Sequence, residues 1–172
     1  LHAGRGGCHI PARFRSRGGR RPAMLVHASC AARDGEAVLL LGPPGSGKSD
    51  LLLRLLGLGF ALVADDQVRL AAANGRLWAS APEALSGTIE VRGIGLLSGQ
   101  PACGPLPLAL ALRLVPREAV PRLPEPRRYA ALGLSVPEVA LHAPDASAPL
   151  KVALALDVAL GRARLAAGAF AA

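Results

Sequence analysis

The run Gly42-Pro43-Pro44-Gly45-Ser46-Gly47-Lys48-Ser49 matches G-x-x-x-x-G-K-[ST], with an apolar segment before it and a leucine-rich segment after it. A loop of this kind binds phosphate. Its glycines let the backbone wrap so that successive N–H groups point at phosphate oxygens, and the N-terminus of the following helix adds positive potential. Lys48 would reach the β and γ phosphates of ATP, and the Ser49 hydroxyl would ligate Mg2+. The competing reading, a plain glycine turn between strand and helix, needs the eight-residue match and both flanks to coincide by chance.

A second feature follows the leucine-rich segment. Phe60-Ala-Leu-Val-Ala-Asp65-Asp66 ends an apolar run in two adjacent carboxylates, 17 and 18 residues after Lys48. In an α/β sheet, ligands sit outside the carboxyl ends of strands, which would place this pair beside the phosphate loop. Neighbouring strand residues point to opposite faces, so the two acids suit different jobs. One could hold Mg2+, directly or through water, and the other could take a proton from an attacking hydroxyl. A solvated Asp-Asp turn is the alternative.

These groups need a scaffold, and the sequence predicts an α/β, P-loop nucleotide-binding domain with a mixed, hairpin-rich sheet. Leu25–Ala32 reads as a strand, Asp34-Gly35 as a hairpin turn, and Ala37–Leu41 as a buried strand. Asp50–Leu56 is predicted helical, ending at Gly57 or Gly59, with Phe60–Ala64 the next strand. Asn74-Gly75 signals a hairpin between Gln67–Ala71 and Arg76–Ser80. Thr88–Val91 and Leu106–Val115 are further strands. Pro116–Tyr129, rich in proline and charge, reads as an exposed loop, Glu138–His142 as a short strand, and Leu150–Leu165 as a helix.

Charge narrows the function. The 172 residues carry a formal net charge of +8, but residues 1–23 hold six arginines and no acid, leaving 14 basic and 12 acidic residues in the rest. The predicted body is almost neutral, which removes the reason to infer nucleic-acid binding. Residues 1–23 have no hydrophobic period and are expected to be a disordered basic tail. They read as sequence upstream of a start at Met24, as a targeting segment, or as an interaction arm. The predicted catalytic domain is then 24–172. No apolar run reaches the roughly 18 to 20 residues of a membrane span. Cys8, Cys30 and Cys103 have spacings that fit neither a disulfide framework nor a zinc site, so a reducing, cytoplasmic setting is expected.

Taken together, these residues resemble the HPr kinase/phosphorylase family, bacterial enzymes that phosphorylate a serine of the phosphocarrier protein HPr. His27 stands 15 residues before Gly42, where the family has its histidine. Leu62-Val-Ala-Asp-Asp66 is similar to the family's LVADD run, and Glu90-Val-Arg92-Gly93-Ile-Gly95 to its E-x-R-G-x-G signature. The resemblance implies that Asp66 is the base acting on the HPr serine and that Asp65 assists near the metal. It implies that Glu90 joins Ser49 in binding Mg2+, that Arg92 serves catalysis, and that His27 is an active-site histidine. From the residues alone, His27 also fits a hydrogen-bonded strand histidine, and Glu90 with Arg92 an exposed ion pair.

Two departures stand out. Tyr129-Ala130-Ala131-Leu132-Gly133 lies where the family has Tyr-Asp-Arg-Leu-Gly, so the loop arginine is missing, with Arg127 or Arg128 as candidate replacements. The family's proline- and arginine-containing segment tied to dephosphorylation has only Ala146–Lys151 near its place. Full-length family members have an additional N-terminal domain, whereas 23 residues precede Met24 here, so the resemblance implies a short, catalytic-domain form: an ATP-dependent protein serine kinase acting in control of the phosphotransferase system and carbon metabolism. The reverse phosphorylase activity is in doubt, and a homohexamer is implied. A P-loop kinase for a small metabolite and a non-catalytic ATP-binding regulatory module are the alternatives.

Overall fold

The computed structural model describes residues 22–170. The expected tail therefore lies, up to residue 21, outside the described residues. Its boundary shifts slightly, because the first strand, β1 (Ala23–His27), already contains Ala23. The single strand expected over Leu25–Ala32 is two strands. After Ala28 the chain continues as β2 (Ser29–Arg33), and the pieces pair with different neighbours. β1 lies against β5 (Gln67–Ala73), whereas β2 lies between β3 (Glu36–Leu41) and β4 (Ala61–Ala64). The break has a local cause: the Ala28 N–H is drawn to the Asp66 carbonyl at 3.1 Å.

The predicted hairpins form where the dipeptides place them. Asp34-Gly35 and Asn74-Gly75 all have positive φ, as a type I′ turn demands; the second joins β5 to β6 (Arg76–Ser80). Two further hairpins carry no such signal. β7 (Ile89–Val91) pairs with β8 (Gly95–Leu97), and β10 (Arg127–Ala131) with β11 (Leu134–Leu141). The latter turns on Leu132-Gly133, both left-handed, with leucine where asparagine is usual. The loop expected to run to Tyr129 thus gives way to a strand at Arg127, and the strand expected at Glu138–His142 begins four residues earlier.

Nine strands make one mixed sheet in the order β1-β5-β6-β9-β3-β2-β4, with β11 and then β10 also joined to β9. β9 (Leu106–Leu114) is the branch point. Its start pairs antiparallel with β6, its end runs parallel to β11, and it also pairs in parallel with β3. A register shift opposite Ala109 reverses which face its side chains take. Leu106 and Leu108 pack into one core with Leu39, Leu41, Val68 and Leu70, whereas Leu110, Leu112 and Leu114 pack into the other, under the helices. The apolar run Ala37–Leu41 of β3 follows from burial on both sides.

The second core is closed by α1 (Lys48–Gly57) and α2 (Ala148–Ala159). α1 buries Leu51, Leu52 and Leu55, each contributing about 1.5–3 kcal/mol over exposure. It ends at Gly57, one of the two glycines expected, and the left-handed Gly59 follows the Leu58 cap. α2 stops six residues short of the expected Leu165. Gly161 is left-handed, and the Arg162 and Ala163 N–H groups turn back to the Asp157 carbonyl, so the helix cannot continue. Cys30 is a buried free thiol.

Candidate active site

The C-terminal end of β3 delivers the chain into the Gly42–Ser49 loop and directly into α1. Gly45 and Gly47 are left-handed, at φ +79 and +89, which turns consecutive amides toward one side. No side chain caps the helix, so its first N–H groups are left for a ligand. Gly42 is required by space as well: a Cβ there would meet Ser46 Oγ at 2.5 Å and Leu114 Cβ at 3.1 Å. Lys48 Nζ spans the loop, donating to the Gly42 and Pro43 carbonyls at 2.9 and 3.0 Å. Burial lowers the Lys48 ammonium from the ordinary lysine value, against the opposing pull of Asp66 and Asp65.

The two carboxylates part company at a three-residue turn, closed by the Gln67 N–H on the Asp65 carbonyl at 2.8 Å with Asp66 at φ +66. Asp65 turns inward and is 5% exposed. It accepts hydrogen bonds from Ser49 Oγ at 3.0 Å, from Ser29 Oγ at 2.6 Å and from the Glu90 N–H at 3.3 Å. Asp66 turns outward, where its carboxylate meets His27 Nδ1 at 3.1 Å. Divergence is what the strand alternation predicts, and the turn enforces it.

Between these groups lies a cavity of about 430 Å3. It is lined by His27, Pro44, Gly45, Gly47, Lys48, Ser49 and Asp66, with Glu90 and Arg92 from the β7–β8 hairpin and Asp50, Leu53 and Val91 besides. Residues far apart in sequence thus converge as the motifs suggest. Asp65 does not line the cavity; it stands behind Ser49. Gly42, Pro43 and Ser46 likewise shape the loop from behind the lining. Of the candidate replacements for the missing arginine, neither lines the cavity, and the Arg128 guanidinium is engaged by Ser135 Oγ and its carbonyl. Ala131, which stands at the arginine's place, is a buried core residue.

Ser29 is the residue that the sequence did not reveal. A serine in an alanine-rich strand has no pattern, and the acid that it serves lies 36 positions away.

The donor set fits a magnesium nucleotide. Gly45, Gly47 and Lys48 line the cavity, and the buried Ser46 Oγ has no partner within the protein. Among the described residues, no cluster of three or more His, Cys, Asp or Glu is placed to hold a metal by itself. Mg2+ commonly takes one or two protein ligands and completes its shell with phosphate and water, which suits Ser49 and Glu90 with Asp65 behind them.

A loop from the other end of the chain braces this site. Arg54 of α1 donates to the Ala143 and Asp145 carbonyls, and a Cβ on Gly47 would lie 3.2 Å from that of Ala143. Asp145 is in turn bound by Lys151 and Arg117, which hold its carboxyl below the usual range.

Comparison with known proteins agrees with this geometry. Residues 21–105 match the model of the HPr serine kinase C-terminal domain. An HPr kinase/phosphorylase of Thermoanaerobacter sp. (strain X514) is 42% identical over 77 residues, covering 44% of this chain and 25% of that protein. The enzyme of that name from Bordetella pertussis is 38% identical over 94 residues, covering 54% and 30%. The chain thus aligns with about a quarter of the length of these curated relatives. A solved structure, the Hpr(Ser) kinase/phosphatase from Coxiella burnetii, superposes with a TM-score of 0.69 at 31% identity, covering 81% of this chain and 92% of that one. With that coverage added to the P-loop, the paired aspartates and the Glu90–Arg92 hairpin around one cavity, the chain belongs to the HPr kinase/phosphorylase family.

Proposed function

We propose that this domain is an ATP- and Mg2+-dependent protein serine kinase whose substrate is an HPr-type phosphocarrier protein. The observation that carries this reading is the cavity in which the phosphate loop faces an outward carboxylate, Asp66, paired with His27. The loop amides and Lys48 hold the phosphates and neutralise their charge. Asp66, 65% exposed, stands where an incoming serine hydroxyl can donate its proton, and His27 fixes the carboxylate's direction. Glu90 and Ser49 would hold the cation, and Arg92 stands at the rim to meet charge on the transferring group. Bound Mg2+ supplies charge neutralisation between phosphate oxygens.

Forward transfer dominates in this reading, because the loop arginine is absent and the segment around Ala146–Lys151 departs from the family pattern. No helix among the described residues is long and apolar enough to cross a membrane. A cytoplasmic location and a hexameric assembly rest on the family resemblance, and sedimentation would test the latter. The decisive assay incubates the protein with labelled ATP and HPr, with and without inorganic phosphate. Transfer to serine is expected, and Asp66→Asn should lower it by about 10²–10⁴-fold. Absence of transfer, or undiminished transfer by that variant, would count against the assignment. ATP binding without transfer would instead support a regulatory module.

A further inference from the structure

Asp65 is an almost fully buried carboxylate, and a charge in that position must be satisfied by donors. Three reach it, and the shortest contact, 2.6 Å, comes from Ser29. Ser29 is 0% exposed in a strand whose neighbours Cys30, Ala31 and Ala32 are apolar core. A hydroxyl at such a position is unfavourable unless hydrogen-bonded. Its bond to a carboxylate is charge-assisted, which makes it one of the stronger kinds.

The bond has a directional consequence. Ser29 and Ser49 both donate to Asp65 Oδ1. With its proton committed to Asp65, the Ser49 oxygen keeps its lone pairs for the cavity it lines. Asp65 can impose that orientation only while it is itself held, and Ser29 holds it from β2, independently of the phosphate loop. One short segment thereby serves both acids: His27 meets Asp66, and two residues on, Ser29 meets Asp65.

We propose that Ser29 is a positioning residue for the cation site: its hydroxyl locks Asp65, and through Asp65 the Ser49 hydroxyl, in the orientation that presents the Ser49 oxygen to Mg2+. This rests on the reading of the cavity as a magnesium-nucleotide site. Its test is ADP binding by calorimetry with the full chain, titrated with and without Mg2+, alongside a thermal melt. Relative to the unaltered protein, Ser29→Ala should leave Mg2+-free ADP affinity within about twofold while raising the half-saturating Mg2+ concentration about tenfold, in line with losses of outer-shell partners. If Ser29→Ala does not fold, Ser29→Thr and Ser29→Val, alike in shape and differing in the hydroxyl, carry the same test: threonine should keep the Mg2+ dependence and valine lose it.

Equal loss of affinity with and without Mg2+, no change in either, or identical behaviour of threonine and valine would each overturn the proposal. No carrier protein is present in this experiment. A protein that binds Mg-ADP but does not phosphorylate HPr would therefore sink the kinase reading and leave Ser29 where it is. One that binds no ADP would overturn both.

Discussion

Asp66 occupies a left-handed backbone position, at φ +66, that asparagine tolerates as readily as aspartate. Asp66→Asn should therefore leave the melting temperature unchanged while removing the proposed proton acceptor, so that thermal denaturation and the transfer assay give opposite answers. A variant that lost both together would show Asp66 to be structural. The residues legible in the sequence were those whose type is fixed by phosphate chemistry. Gly42, Gly47, Lys48 and Ser49 belong to a spaced pattern, and Asp65-Asp66 is conspicuous at the end of an apolar run. What was not legible is the division of labour. That Asp65 lies behind Ser49, and that Ser29 secures it, follows from a turn and a strand pairing that no local pattern encodes.

The β7–β8 hairpin carries Glu90 and Arg92 to the cavity, and its base is closed by the Gln100 N–H on the Gly87 carbonyl at 2.9 Å. Gly87 has φ +70, and a Cβ there would fall 2.5 Å from the Gln100 carbonyl oxygen. Gly87→Ala should therefore cost about 1–3 kcal/mol and loosen the hairpin. Chemical denaturation would measure the first effect and the Mg2+ dependence of ADP binding the second. The 142–147 loop offers a pH test. Lys151 and then Arg117 depress the Asp145 carboxyl, so the unfolded chain binds the proton more readily. Stability from Asp145 is complete above its ordinary value near 3.8 and is lost as pH falls through its lower folded value. Asp145→Asn should flatten the acid limb of the stability curve. An unchanged limb would exclude this brace. Hairpins announced by Asp-Gly and Asn-Gly were readable; those turning at Arg92–Ile94 and Leu132-Gly133 were not, because arginine or leucine precedes the left-handed glycine where asparagine or aspartate would signal the turn.

The two cores are held together by β3 and β9, whose alternate side chains enter one or the other. A mixed sheet was foreseeable from hairpins combined with a strand–loop–helix unit. Its forked order was not, since β9 pairs with β3 and β6 across long sequence separations. The break at Ala28 has a consequence for truncation of the chain. β1 is an edge strand that leaves Ala23, Met24, Leu25 and His27 exposed, whereas β2 is embedded between two partners. Removing the residues before Ala28 would take the histidine from Asp66 while leaving the phosphate loop and the Ser29–Asp65–Ser49 chain in place. A protein truncated to begin at Ala28 should still bind Mg-ADP yet transfer phosphate poorly, and both assays on that variant would show it. In the proposed kinase, the junction thus separates holding the nucleotide from using it.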